Sequence, residues 1–188
     1  MAALTTTVVL AVAGTTLGYS ALTSSVTLTL DGRTEQVRSM GGTVAEVLES
    51  QGVEIGPHDI VAPDLDEPVE DGSSISVLFG RPFTLSVDGT EETHWVTATT
   101  VAGALEQIGR GYRDADLSLS RGGSLDRSGA SLEVVTPKTL TFKIAGRKAI
   151  TRTVTALTVE DALAEVGVKV HQHDRAKPGF EQLLSDGD

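Results

Sequence analysis

Three times along the chain an alternating apolar run ends in a turn signal and gives way to a helical pattern. Val26, Leu28 and Leu30 alternate with Thr27 and Thr29, and the same alternation returns as Phe83, Leu85 and Val87 and as Leu140, Phe142 and Ile144. Period-two alternation predicts strands with one buried face. The first two runs close on Asp31-Gly32 and Asp88-Gly89, a pair suited to a two-residue hairpin whose central positions both need positive φ. The third run closes on Ala145-Gly146, a weaker turn signal. A second strand is predicted over Glu35 to Arg38. Thr43-Val44-Ala45-Glu46 then reads as a capping box. Val44, Val47 and Leu48 share one helical face, and Gly52 is placed to end the helix in a left-handed turn. Val101, Ala104, Leu105 and Ile108 predict the equivalent helix of the second stretch, and Val159, Ala162, Leu163 and Val166 that of the third. A loop holding Pro57, Pro63 and Pro68 leads to Asp71-Gly72 and a returning strand, Ser74 to Phe79. Its counterpart in the second stretch is Leu132 to Val135.

The markers recur at offsets of 57 and then 57 or 58 residues: Thr43-Val44, Thr100-Val101 and Thr158-Val159; Gly52, Gly109 and Gly167; Asp59, Asp116 and Asp174. A fixed period of this size signals a row of small modules rather than one large domain. Hairpin, helix across one face, loop and returning strand predict an α+β fold. We read it as tandem β-grasp (ubiquitin-like) repeats, with the returning strand beside the first and the helix covering the apolar face. Three repeats are expected, at residues 24–80, 81–137 and 138–188. Asp186-Gly187 matches Asp71-Gly72, so the third repeat is expected to be incomplete, without its closing strand.

Residues 2–22 carry no charge and have about the length that spans a bilayer. They predict an N-terminal hydrophobic helix within residues 1–23, read as a signal anchor or a signal peptide. A buried helix is a third alternative. The basic flank expected before such a segment is missing, which suggests that the native start lies upstream or that the chain was trimmed. No cysteine follows, which excludes a lipoprotein anchor. Either membrane reading places the repeats outside the cytoplasm.

The net charge of −11 argues against nucleic acid as a partner. Charge is graded: −9 over residues 24–80, −3 over 81–137 and +1 over 138–188. The gradient suits a solubilising surface, and leaves the third repeat able to approach an anionic polymer. With one Trp, two Tyr and four Phe, each core must be aliphatic and thin.

Few residues suggest chemistry. His171-Gln172-His173-Asp174 places possible metal ligands at alternate positions of an extended segment. His173, however, aligns with His58 and Ala115, which favours an ordinary loop. His94 lies beside Trp95 on a predicted strand, and Trp95 reads as core or interface material before sugar platform. Asp64, Asp66, Glu67, Glu70 and Asp71 supply oxygen ligands without the spacing of a calcium loop. Glu91-Glu92 fall on opposite faces of a strand, unsuited to paired-carboxylate hydrolysis. No catalytic, cofactor-binding or metal-binding residue is assigned, and no cofactor is expected.

"VTLTLDG" (Val26 to Gly32) and "LSVDGTEETHWVTATTVAGALEQIG" (Leu85 to Gly109) resemble the tandem ubiquitin-like repeats that precede the catalytic domain of actinobacterial resuscitation-promoting factors. They also resemble repeats of related wall-associated proteins of spore-forming bacteria. The resemblance covers about residues 24–188. It implies a non-catalytic stalk or cell-wall contact region, with peptidoglycan or another anionic wall polymer as possible partner and the membrane engaged through residues 2–22. It also implies a parent protein whose downstream lysozyme-like domain cleaves glycan strands. This chain would then be either the stalk itself or a fragment of that peptidoglycan-cleaving enzyme. No position matches the family's catalytic motif, so none of its catalytic residues carries over.

Overall fold

The computed structural model describes residues 23–40 and 42–188. The predicted N-terminal helix lies outside the described residues. Among those described, no helix is long and apolar enough to cross a membrane. Two compact units divide at Gly80 and Arg81.

The first unit opens with β1 (Ser24–Leu30) and β2 (Arg33–Ser39), paired antiparallel from Ser24 opposite Ser39 to Leu30 opposite Arg33. Asp31 and Gly32 take φ of 49° and 82°, the left-handed pair that a two-residue hairpin requires. Helix α1 (Val44–Ser50) follows. Its capping box forms as the sequence predicts: Glu46 N donates to Thr43 Oγ1 at 3.4 Å, and Thr43 N donates to Glu46 Oε2 at 3.2 Å. Seven residues are too few for a helix to persist alone. The element depends on Val44, Val47 and Leu48, which it buries completely against Val26, Leu28, Ile75 and Val77.

The returning strand is β4 (Ser74–Leu78), and it runs parallel to β1 with Leu28 opposite Ile75. The loop before it holds an unpredicted short strand, β3 (Ile60–Ala62), antiparallel to β4. The sheet order is β2-β1-β4-β3.

The second unit repeats this plan with β5 (Arg81–Val87), β6 (Thr90–Val96), helix α2 (Val101–Gln107), β7 (Asp116–Leu117) and β8 (Ala130–Val135), in sheet order β6-β5-β8-β7. Asp88 and Gly89 take φ of 49° and 85°. The core again joins the inward face of the first strand to the helix: Phe83, Leu85, Val101, Ala104, Leu105, Leu132 and Val134 are all buried.

The same unit continues with β9 (Lys138–Phe142), β10 (Ile150–Val154) and helix α3 (Val159–Glu165). Here the sheet has two strands, β10-β9, and the described residues hold no counterpart of β3 or β4. Phe142 pairs with Ile150, so seven residues, 143–149, connect the strands where two suffice in the other repeats. The tight turn is lost at Ala145, because alanine lacks the side-chain acceptor and the tolerance of positive φ that Asp31 and Asp88 supply. One additional residue before Thr158 fits the longer loop. Of the α3 face, only Ala162 is buried.

Candidate functional site

The best-defined cluster of polar chemistry joins the second and third repeats. Asp88 lies in the β5–β6 turn, Thr136 follows β8, and Lys138 opens β9. Lys138 is 2% exposed, yet its ammonium is fully occupied. It donates to Asp88 Oδ1 at 2.7 Å, to the Thr136 carbonyl at 3.0 Å and to the Ala156 carbonyl at 3.1 Å. Three acceptors match its three donors.

Asp88 also receives the Thr136 amide at 3.0 Å and the Thr136 hydroxyl at 2.6 Å. Burial pushes the Asp88 carboxyl upward, but the Lys138 and Thr136 hydrogen bonds and the Lys138 charge together hold it below its ordinary value. The same turn abuts the third repeat on its other side, where a Cβ added at Gly89 would meet Leu183 Cδ1 at 3.1 Å. This geometry serves as a joint that fixes one repeat on the next.

A second surface is the sheet face turned away from the helices. Pairs of threonine hydroxyls bridge neighbouring strands there: Thr29 with Thr34 at 3.0 Å, Thr84 with Thr93 at 3.1 Å, Thr139 with Thr153 at 3.2 Å and Thr141 with Thr151 at 3.3 Å. In the second repeat Trp95 shares this face, opposite Pro82 and two residues from Thr93. At 52% exposure it is not core, which removes the first of the two expected roles, core or interface. The register explains this. Val96 turns inward and is buried, so its neighbour on the strand turns outward.

The remaining candidates do not converge. Among the described residues no group of three or more His, Asp or Glu is arranged to hold a metal ion. His171 and Asp174 close a local turn, with the His171 amide donating to Asp174 Oδ2 at 2.8 Å, and His173 is exposed. His94 Nε2 lies 3.4 Å from Glu92 Oε2 without hydrogen-bond geometry. Glu92 also faces Arg110 at 3.9 Å, whereas Glu91 lies on the opposite face. Asp64, Asp66, Glu67, Glu70 and Asp71 are exposed along one loop, and Asp71 Oδ1 accepts the Ser25 amide at 2.7 Å.

The model of the G5-linked ubiquitin-like domain matches residues 26–66, 83–121 and 140–181. The chain belongs to the G5-linked ubiquitin-like domain family. The three matches coincide with the three hairpin–helix units, including the third with its two-stranded sheet.

Resuscitation-promoting factor RpfB of Mycolicibacterium smegmatis is 34% identical over 165 residues, 87% of this chain and 45% of that protein. Resuscitation-promoting factor Rpf2 of Corynebacterium glutamicum is 28% identical over 173 residues, 90% of this chain and 46% of that protein. YabE of Bacillus subtilis, whose name assigns it provisionally to cell wall shaping, is 24% identical over 180 residues, 95% of this chain and 44% of that protein. The chain thus spans less than half the length of these relatives, and the resemblance read from its motifs is shown.

Proposed function

We propose that residues 24–188 are a non-catalytic, extracytoplasmic stalk or wall-contacting region of a resuscitation-promoting-factor-like protein, built from β-grasp modules and held at the membrane through residues 2–22. The observation that carries this reading is the Asp88–Thr136–Lys138 joint. A buried ammonium with all three donors occupied ties consecutive repeats together, which suits an element that must hold a distance. The names of the relatives, resuscitation-promoting factors and a protein assigned to cell wall shaping, support a wall-side location. Peptidoglycan or another anionic wall polymer is the partner this reading favours. The open threonine face with Trp95, and the near-neutral third repeat, are the surfaces for it.

The test is co-sedimentation of purified residues 24–188 with isolated peptidoglycan sacculi, with glycan cleavage followed in the same samples. Binding that weakens on Trp95→Ala, without glycan release, is the expected result. Glycan release by this segment would overturn the non-catalytic reading. Absence of binding would leave the stalk as a spacer only. The greater length of the relatives favours a second reading for the parent protein, a peptidoglycan-cleaving enzyme of which this chain is one region.

A further inference from the structure

The hairpin of the third repeat is uniformly basic in a chain of net charge −11. No Asp or Glu occurs between Glu133 and Glu160, a stretch that carries Lys138, Lys143, Arg147, Lys148 and Arg152. Lys138 is buried against Asp88. The other four are exposed, and among the described residues none of them makes an ion pair. Arg152 Nη1 donates only to the neighbouring Thr151 carbonyl, at 3.0 Å. The remaining cations of the repeat, Lys169, Arg175 and Lys177, are instead interspersed along the chain with Glu165, Asp174 and Glu181.

The register gathers these cations at one end of one sheet face. Residues two apart on a strand share a face, so Thr139 and Thr141 of β9 form an outward row, and Lys143 follows next in that row. Across the ladder the hydroxyls of Thr153 and Thr151 pair with those of Thr139 and Thr141, at 3.2 and 3.3 Å. Arg147 and Lys148 lie in the connection between the two strands. The same face of the second repeat has the opposite sign. There the Thr84–Thr93 pair is followed by Ser86 opposite Glu91, and the turn holds Asp88. Lys143 replaces Ser86 and Ala145 replaces Asp88 at the repeat spacing of 57 residues.

We propose that the tip of the β9–β10 hairpin binds a flexible polymer of phosphate diesters joined by hydroxylated spacers. Lys143, Arg147 and Lys148 neutralise neighbouring phosphates, and the release of condensed counterions drives the association. Each threonine pair uses one hydroxyl proton internally and keeps the other for a spacer hydroxyl. This hydroxylated face suits a polyol, whereas a helix or tip that enters a lipid leaflet needs an apolar face. The bases of a nucleic acid would find no stacking platform, since Phe142, the one aromatic residue of the hairpin, is buried. The proposal rests on the wall-side location argued above and names the anionic partner within it.

The test titrates synthetic poly(glycerol phosphate) into the intact chain by calorimetry at two salt concentrations. Affinity should fall about twentyfold between about 50 and 200 mM salt, as three neutralised phosphates require. The triple variant Lys143→Gln, Arg147→Gln, Lys148→Gln should lose at least about tenfold in affinity at the lower salt. The control Lys169→Gln, Arg175→Gln, Lys177→Gln removes the same charge from the same repeat and should lose less than about threefold. All six positions are exposed, so neither variant disturbs a core. Equal losses in the two variants, or no binding at millimolar phosphate, would overturn the proposal. So would a greater loss in the hairpin variant with phosphatidylglycerol vesicles than with the polymer, which would identify a lipid surface as the partner. The probe contains no peptidoglycan, so a failure here leaves sacculus binding standing, and a failure of sacculus binding leaves this result standing.

Discussion

The joint between the second and third repeats makes an asymmetric prediction. Its two charged partners are not equally buried: the Lys138 side chain is 2% exposed and that of Asp88 is 25% exposed. Removing one member of a buried pair costs about 3–5 kcal/mol when the other is left uncompensated. Asp88→Asn keeps an amide oxygen that accepts from Lys138 but leaves the buried ammonium with no counter-charge. The substitution keeps the tolerance of positive φ needed at 49°, so backbone strain does not confuse the result. Because the hydrogen-bond acceptors survive and only the counter-charge is lost, the expected loss is about 2–3 kcal/mol. Lys138→Met instead leaves Asp88 with the Thr136 amide and hydroxyl and with partial access to water, and should cost about 1 kcal/mol.

Trp95, the single tryptophan of the chain, lies in the second repeat and reports its unfolding by fluorescence. With a urea dependence of about 1–1.5 kcal/mol per molar for a domain of this size, Asp88→Asn should lower the midpoint by about 2 M and Lys138→Met by less than half as much. Equal losses for the two variants, or a larger loss for Lys138→Met, would refute the argument from burial.

Three further expectations follow from the same structure. The Asp88 carboxyl is held below its ordinary value of 3.8 in the folded chain, so its contribution is fully present above that value and disappears as pH falls through the lower, folded one. Acid titration by Trp95 fluorescence should show a loss below about pH 4 that is smaller in Asp88→Asn. Leu105→Ala should cost about 3 kcal/mol, and its counterpart Leu163→Ala no more than about half of that, since Leu105 is 1% exposed and Leu163 is only partly buried; hydrogen exchange resolved by repeat distinguishes the two. Gly129→Ala should destabilise the second repeat by more than 2 kcal/mol, roughly the cost of a backbone clash added to positive φ. Gly129 has φ of 84°, and a Cβ there would strike the Pro82 carbonyl. Thermal unfolding measures this, and an unchanged midpoint would count against so close an approach of the two backbones.

Local chemistry made most of the fold legible. The alternation of Val26, Leu28 and Leu30, the Asp-Gly turns and the Thr43–Glu46 capping box each act within a few residues, so the sequence determined the first two hairpins and the three helices. It also contained a trace of the joint, an acidic residue in a hairpin turn with a basic residue at the same distance further on, as Asp31 with Arg81 and Asp88 with Lys138. Tertiary structure alone decided the rest. Strand β3 is three residues long and exists because β4 offers it an edge. The outward turn of Trp95 follows from the pairing register rather than from its hydrophobicity. The occupied Lys138 ammonium depends on Asp88 and Ala156, groups far apart in the chain. A single sequence states which side chains are available, but which of them meet is set by long-range pairing, where burial multiplies the weight of each charge and each unfilled apolar surface.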